Sequence, residues 1–124
     1  EKRNKYCFIQ FKIIHHTNLG KINFLRNKNF LKKGEEIRVS GDIKDLGNWD
    51  PEKSEKLITS KSDYPLWKSK ENIKVKQNSE INYKYLIFEN GKFKRWEEIP
   101  NNKNRIVYIK NYVRVVISDV ESIL

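Results

Sequence analysis

Three tryptophans carry most of the chemical interest of this chain. Trp49 closes the loop Ser40-Gly41-Asp42-Ile43-Lys44-Asp45-Leu46-Gly47-Asn48-Trp49-Asp50. Trp67 follows Tyr64-Pro65-Leu66, and Trp96 stands between Arg95 and Glu97-Glu98. None of them sits in the middle of an apolar, alternating run, where a core tryptophan is usually found. An indole at the end of an element either folds back onto the core or is offered to a ligand. Glu97-Glu98 beside Trp96 resembles a carboxylate pair for acid–base work, but adjacent residues rarely converge on one bond; a solvated loop edge, or a hydrogen bond to a ligand, is the expected role. His15-His16 cannot chelate one metal from a strand, because neighbours point to opposite faces, and both read as surface residues. No Ser/His/Asp order, Cys/His pair, phosphate-binding loop or metal-ligand spacing is visible, so neither catalysis, cofactor nor metal is expected.

The elements that must position these residues are short strands. Tyr6 to Ile14 alternates, with Cys7, Ile9, Phe11 and Ile13 on one face. Ile37 to Gly41 leads into the Trp49 loop, where Gly47 is free to take positive φ. Lys56 to Thr59 and Leu66 to Val75 read as further strands. Glu80 to Phe88 is the clearest: Ile81, Tyr83, Tyr85 and Ile87 share one face, and Asn82, Lys84, Leu86 and Phe88 the other. Asn90-Gly91 is a strong hairpin signal, since both residues accept positive φ, and Phe93 to Trp96 returns antiparallel. Asn104 to Ile109 and Tyr112 to Ser118 complete the set. Thr17 to Lys33 yields no clear pattern. Seven to eight short strands with regular turns and no long helix predict an all-β antiparallel sandwich, with Ile9, Phe11, Ile37, Val39, Ile81, Tyr83, Val113 and Val115 among its buried residues.

Bulk properties agree. The 124 residues suit one domain with a core of about residues 6–118, and aromatics are abundant at 12% while alanine and methionine are absent. The net charge of +10 suggests a polyanion partner. The 20 lysines are spread along the whole chain, however, and arginine, the better base and phosphate fork, numbers only 6. A lone cysteine, Cys7, and no visible signal peptide set the expectation of an intracellular, reducing compartment. No apolar run approaches a membrane span. The chain starts at Glu1 without methionine and is expected to be a piece of a longer protein.

Five fragments then occur in a telling order: Leu46-Gly47-Asn48-Trp49, Pro65-Leu66-Trp67, Tyr83-Lys84-Tyr85, Trp96-Glu97 and Asn104-Arg105. In this order the chain resembles the starch-binding domain of carbohydrate-binding module family 20, from about Tyr6 to Ser118. The resemblance implies a sandwich of immunoglobulin-like type that binds α-1,4-glucan at up to two sites. In the first site two tryptophans form a flat apolar platform, and a lysine and an asparagine bond sugar hydroxyls; the matching positions are Trp49, Trp96, Lys84 and Asn104. Pyranose rings have apolar C–H faces that suit indoles, and hydroxyls that need polar partners at the edge. The second site would rest on Trp67 and is expected to bind glucan weakly or not at all, because the family's other aromatics there fall at Lys33 and near Ser60 or Lys61; Tyr64 lies close to the latter as a substitute. The loop between Trp96 and Asn104 is longer than in the family, which makes Asn101 and Asn102 rivals of Asn104, and the Asn18–Lys33 stretch also departs from it. The implied partners are an α-glucan polysaccharide or malto-oligosaccharide and a covalently linked catalytic domain, since such modules are attached to amylases, glucan phosphatases, glucan dikinases and phosphodiesterases. The competing reading is a single-stranded nucleic-acid module using basic and aromatic surface residues; it lacks an RNP-like motif and arginines interleaved with the aromatics.

Overall fold

The computed structural model describes residues 5–16 and 34–120. Among the described residues nine strands form two sheets: β1 (Tyr6–Ile14), β2 (Glu35–Gly41), β3 (Glu55–Lys56), β4 (Leu66–Lys68), β5 (Ile73–Lys76), β6 (Ser79–Glu89), β7 (Lys92–Trp96), β8 (Arg105–Ile109) and β9 (Arg114–Val120). In the first sheet β1 is central. Strands β4 and β5 lie end to end along one of its edges, antiparallel, and β9 runs parallel to it along the other. In the second sheet β6 is central. Strand β2 occupies one edge, with β3 beyond it, and β7 and β8 lie end to end along the other.

Alternation places one face of each sheet in a shared core. Ile9, Phe11, Ile37, Val39 and Ile81 are fully buried and Tyr83 nearly so. Phe11 meets Tyr83 and Tyr85 across the interior at ring-centroid distances of 5.0 and 6.4 Å. Val115 is half-buried against this core. Val113, expected inside, is 51% exposed, because it precedes β9 and only its carbonyl is engaged, accepting from the Phe8 N–H at 2.8 Å.

The sandwich is antiparallel except for the β1–β9 pair. The segment from Leu66 to Val75 is two strands, not one. Between them the Ser69 hydroxyl accepts from the Phe11 N–H at 2.9 Å, and the Ser69 N–H donates to the Phe11 carbonyl at 2.9 Å. A side chain thus replaces one ladder bond, and both halves stay on the same edge of β1. The Asn18–Lys33 stretch lies outside the described residues.

Candidate functional site

The two edges of β6 bring the candidate residues to one level. On the β2 side the ladder ends with Ser40 opposite Lys84 and Gly41 opposite Tyr83. The Trp49 loop leaves from there. On the other side β7 ends with Trp96 opposite Leu86, and β8 begins with Arg105 opposite Tyr83. Lys84 therefore sits where β7 stops and β8 starts, on the sheet face turned away from the core. Trp49, Lys84, Trp96 and Asn104 line one groove of about 310 Å³, at the small end of the roughly 300–1,000 Å³ common for ligand sites.

The Trp49 loop is held by polar contacts rather than by length. The Ser40 hydroxyl donates to the Leu46 carbonyl at 2.7 Å, and Leu46 itself is fully buried. The Asp42 carboxylate accepts from the backbone and side-chain N–H groups of Asn82 at 3.1 and 2.9 Å. Asp45 accepts from the Lys74 N–H at 3.0 Å. Gly47, Asn48 and Trp49 then take φ of 82°, 50° and 68° in succession. A left-handed conformation costs a non-glycine residue about 1–2 kcal/mol, so the surrounding contacts must impose it on Trp49. At Gly47 no side chain would fit, because a Cβ would lie 2.5 Å from the Lys53 carbonyl oxygen.

The Trp49 and Trp96 rings are half-buried, with centroids 6.0 Å apart and planes inclined by 65°. The aromatic surface is angled, not flat. Asn104 is exposed and borders the groove. Its rivals belong to the intervening turn: Asn101 and Asn102 hold left-handed φ of 65° and 53° there.

Glu97 is not at a solvated edge. Only 1% exposed, it accepts from the Tyr85 N–H at 2.9 Å and from Arg105 Nε and Nη2 at 2.9 and 3.1 Å. Arg105 also donates to the Val120 carbonyl at 2.8 Å and lies 3.5 Å from Asp119. The Asp119 carboxylate in turn accepts from the hydroxyls of Tyr83 and Tyr85 at 2.9 and 2.8 Å. Burial, and then that carboxylate, push both phenols up, so they stay neutral donors. Glu97 adjoins Trp96 and Arg105 adjoins Asn104, so this bidentate pair ties two groove residues to each other from beneath.

Trp67 and Tyr64, expected to hold glucan weakly or not at all, are placed mostly inside the fold. Trp67 is 3% exposed and belongs to the core: it pairs with Ile13, and its indole N–H donates to the His15 carbonyl at 3.1 Å. It borders a groove of about 260 Å³ with Glu36, Lys56, Leu57, Ile58 and Thr59, yet so covered an indole has no open face for a sugar. Tyr64 is half-buried against the core. His15, expected at the surface, is corrected. It is 2% exposed, with Nε2 3.9 Å from the buried Glu35 carboxylate, whereas His16 is exposed as expected.

The fold has clear counterparts. A family model described as "Starch binding domain", of carbohydrate-binding module family 20, matches residues 19–116. The chain is 37% identical over 68 residues to Glucoamylase-1 of Schizophyllum commune, covering 55% of this chain and 11% of that protein. Among solved structures, a family 20 module of the maltotetraose-forming amylase from Pseudomonas saccharophila STB07 superposes with a TM-score of 0.59 at 20% identity, covering 91% of this chain and 98% of that one. A family 15 glucoamylase from Hypocrea jecorina gives a TM-score of 0.70 at 19% identity, over 98% of this chain and 18% of that one. The chain is a member of the starch-binding domain family, carbohydrate-binding module family 20. It is a non-catalytic module for α-glucans such as starch, and it spans only a small part of the curated enzymes it matches.

Proposed function

We propose that this module holds a stretch of α-1,4-glucan on Trp49 and Trp96, with Lys84 and Asn104 bonding sugar hydroxyls at the edge. The observation that carries the reading is the shared groove: four residues from four separate places in the chain line it together. Stacking on the indoles would cover the apolar sugar faces. The compact Lys84 ammonium and the Asn104 amide suit single hydroxyls, which need no bidentate fork. The angle between the indoles favours a curved chain over a flat one. By likeness to Glucoamylase-1, the module would deliver an attached glucan-active enzyme, of amylase or glucoamylase type, to its substrate.

The test is calorimetric titration of wild type, Trp49→Ala and Trp96→Ala with maltoheptaose, alongside thermal melts. Each substitution should cost about 2 kcal/mol of binding, as for aromatic hot spots. Melting should change little, because neither ring fills the inter-sheet core. Wild-type affinity in both variants, or unfolding of both, would make these tryptophans structural.

A further inference from the structure

We propose that Phe93 is a third stacking residue, extending the Trp49–Trp96 surface by one glucose unit toward the β6–β7 hairpin. The proposal rests on the reading of the groove given above.

The β6–β7 ladder pairs Leu86 with Trp96 and Ile87 with Arg95, and then slips, so that Phe88 pairs with Phe93 and Lys94 is passed over. Three residues apart, Phe93 and Trp96 would occupy opposite faces of a regular strand. The extra residue brings them to the same face. That face is the outward one, shared by Lys84, Leu86 and Phe88. The bulge is anchored by charge: Lys94 Nζ lies 3.1 Å from the Glu89 carboxylate and 3.6 Å from that of Glu35, and Arg95 lies 3.8 Å from Glu35.

The resulting array is regular. Trp49 to Trp96 is 6.0 Å at 65°, and Trp96 to Phe93 is 5.8 Å at 63°. Along β6, Trp49 stands at the Lys84 end, Trp96 at Leu86 and Phe93 at Phe88. Each step is comparable to one sugar unit, and adjacent rings are inclined to each other by similar angles. Phe93 is 37% exposed while Phe88 beneath it is fully buried, at a centroid distance of 5.9 Å. Phe88 already seals the sheet face under it, so the open part of Phe93 is available to a ligand.

The experiment compares maltotriose with maltoheptaose by calorimetry for wild type, Phe93→Leu, Phe93→Trp and Trp96→Ala. Leucine keeps an apolar cap over Phe88 and removes the aromatic face. Phe93→Leu should bind maltoheptaose about three- to tenfold more weakly, the scale of one aromatic stacking contact, and maltotriose as wild type does. Phe93→Trp should tighten maltoheptaose alone. Unchanged affinities in both Phe93 variants, with Trp96→Ala impaired, would overturn the proposal and leave the groove reading standing. So would a loss in Phe93→Leu that is equal for both ligands, since that reports packing. Wild-type binding by Trp96→Ala as well would remove the groove reading on which Phe93 depends.

Discussion

Glu97→Ala offers the most demanding check on how the groove is built, because Glu97 cannot touch a sugar. Its side chain is 0% exposed. Truncation removes the acceptor of three hydrogen bonds, one from the Tyr85 N–H and two from Arg105. Breaking a buried pair from one side costs about 3–5 kcal/mol. Arg105 keeps Asp119 and the Val120 carbonyl, which argues for the lower end, about 3 kcal/mol. Glu97→Gln keeps the shape and one acceptor oxygen but loses the charge, and should cost about 2 kcal/mol. For a chain of this size about 3 kcal/mol corresponds to a fall in Tm of roughly 10–15 °C.

The binding consequence follows from position. With the pair broken, the ends of β7 and β8 are no longer clamped to each other, and Trp96 and Asn104 lose their fixed separation. Calorimetry on folded Glu97→Gln at low temperature should therefore show weaker maltoheptaose binding, with melts run on the same samples. Stability within about 2 °C of wild type would refute the buried-pair argument. A lowered Tm with wild-type affinity would show that the pair supports the fold without positioning the groove.

Three further outcomes are expected. Gly47→Ala must accept both a left-handed φ and a Cβ 2.5 Å from the Lys53 carbonyl; it should lose about 2 kcal/mol or more in a melt, and weaken oligosaccharide binding by shifting Trp49. Trp67→Ala should cost about 3–5 kcal/mol of stability as a core truncation, whereas Trp67→Phe, if folded, should bind maltoheptaose like wild type. Maltoheptaose affinity should be nearly constant between about 50 and 500 mM salt, because the ligand is neutral; a steep salt dependence with single-stranded DNA binding instead would mark the nucleic-acid reading.

Period-two alternation made much of this fold legible, and its misses are instructive. It located β1 from Tyr6 to Ile14 and the inward face of β6, because both strands bury one side. The same parity reaches His15, two residues past Ile13, and Glu97, next to outward-facing Trp96. Both were read as surface residues on polarity alone, yet a strand's alternation continues past the last apolar side chain, and each side chain faces a partner brought from elsewhere. Val113 fails the other way: it has the parity of Val115 and Ile117 but stands before the strand begins. Trp67 was hidden by the break at Ser69, which made a short inward strand look like the start of a long one. Alternation assigns faces, not neighbours, so the parallel β1–β9 pair had no local signal. Trp49, Lys84, Trp96 and Asn104 could be named from motif order; the slip that turns Phe93 to their face could not, because a bulge breaks the parity on which such reading depends.

The outward face of β6 explains how tryptophans can be half-buried and still available. Leu86 and Phe88 point away from the inter-sheet core, yet both are fully buried. Trp96 stands opposite Leu86 in the ladder, Phe93 packs on Phe88, and the Arg38 guanidinium lies 3.6 Å over the Phe88 ring. The sheet thus carries a second, thin apolar layer on its outer side, with Phe93, Trp96 and, beside Trp96, Trp49 at its surface. A ring seated on such a layer has already lost its rotamer freedom on folding. Immobilising a free side chain on binding costs about 0.5–1.5 kcal/mol, and here that cost falls on folding instead of on the ligand. The polar contacts follow the same rule: Lys84 leaves a central strand, and Asn104 is held by Arg105 and Glu97 beneath it. The groove is preorganised because each residue in it stands on, or next to, a buried part of the fold.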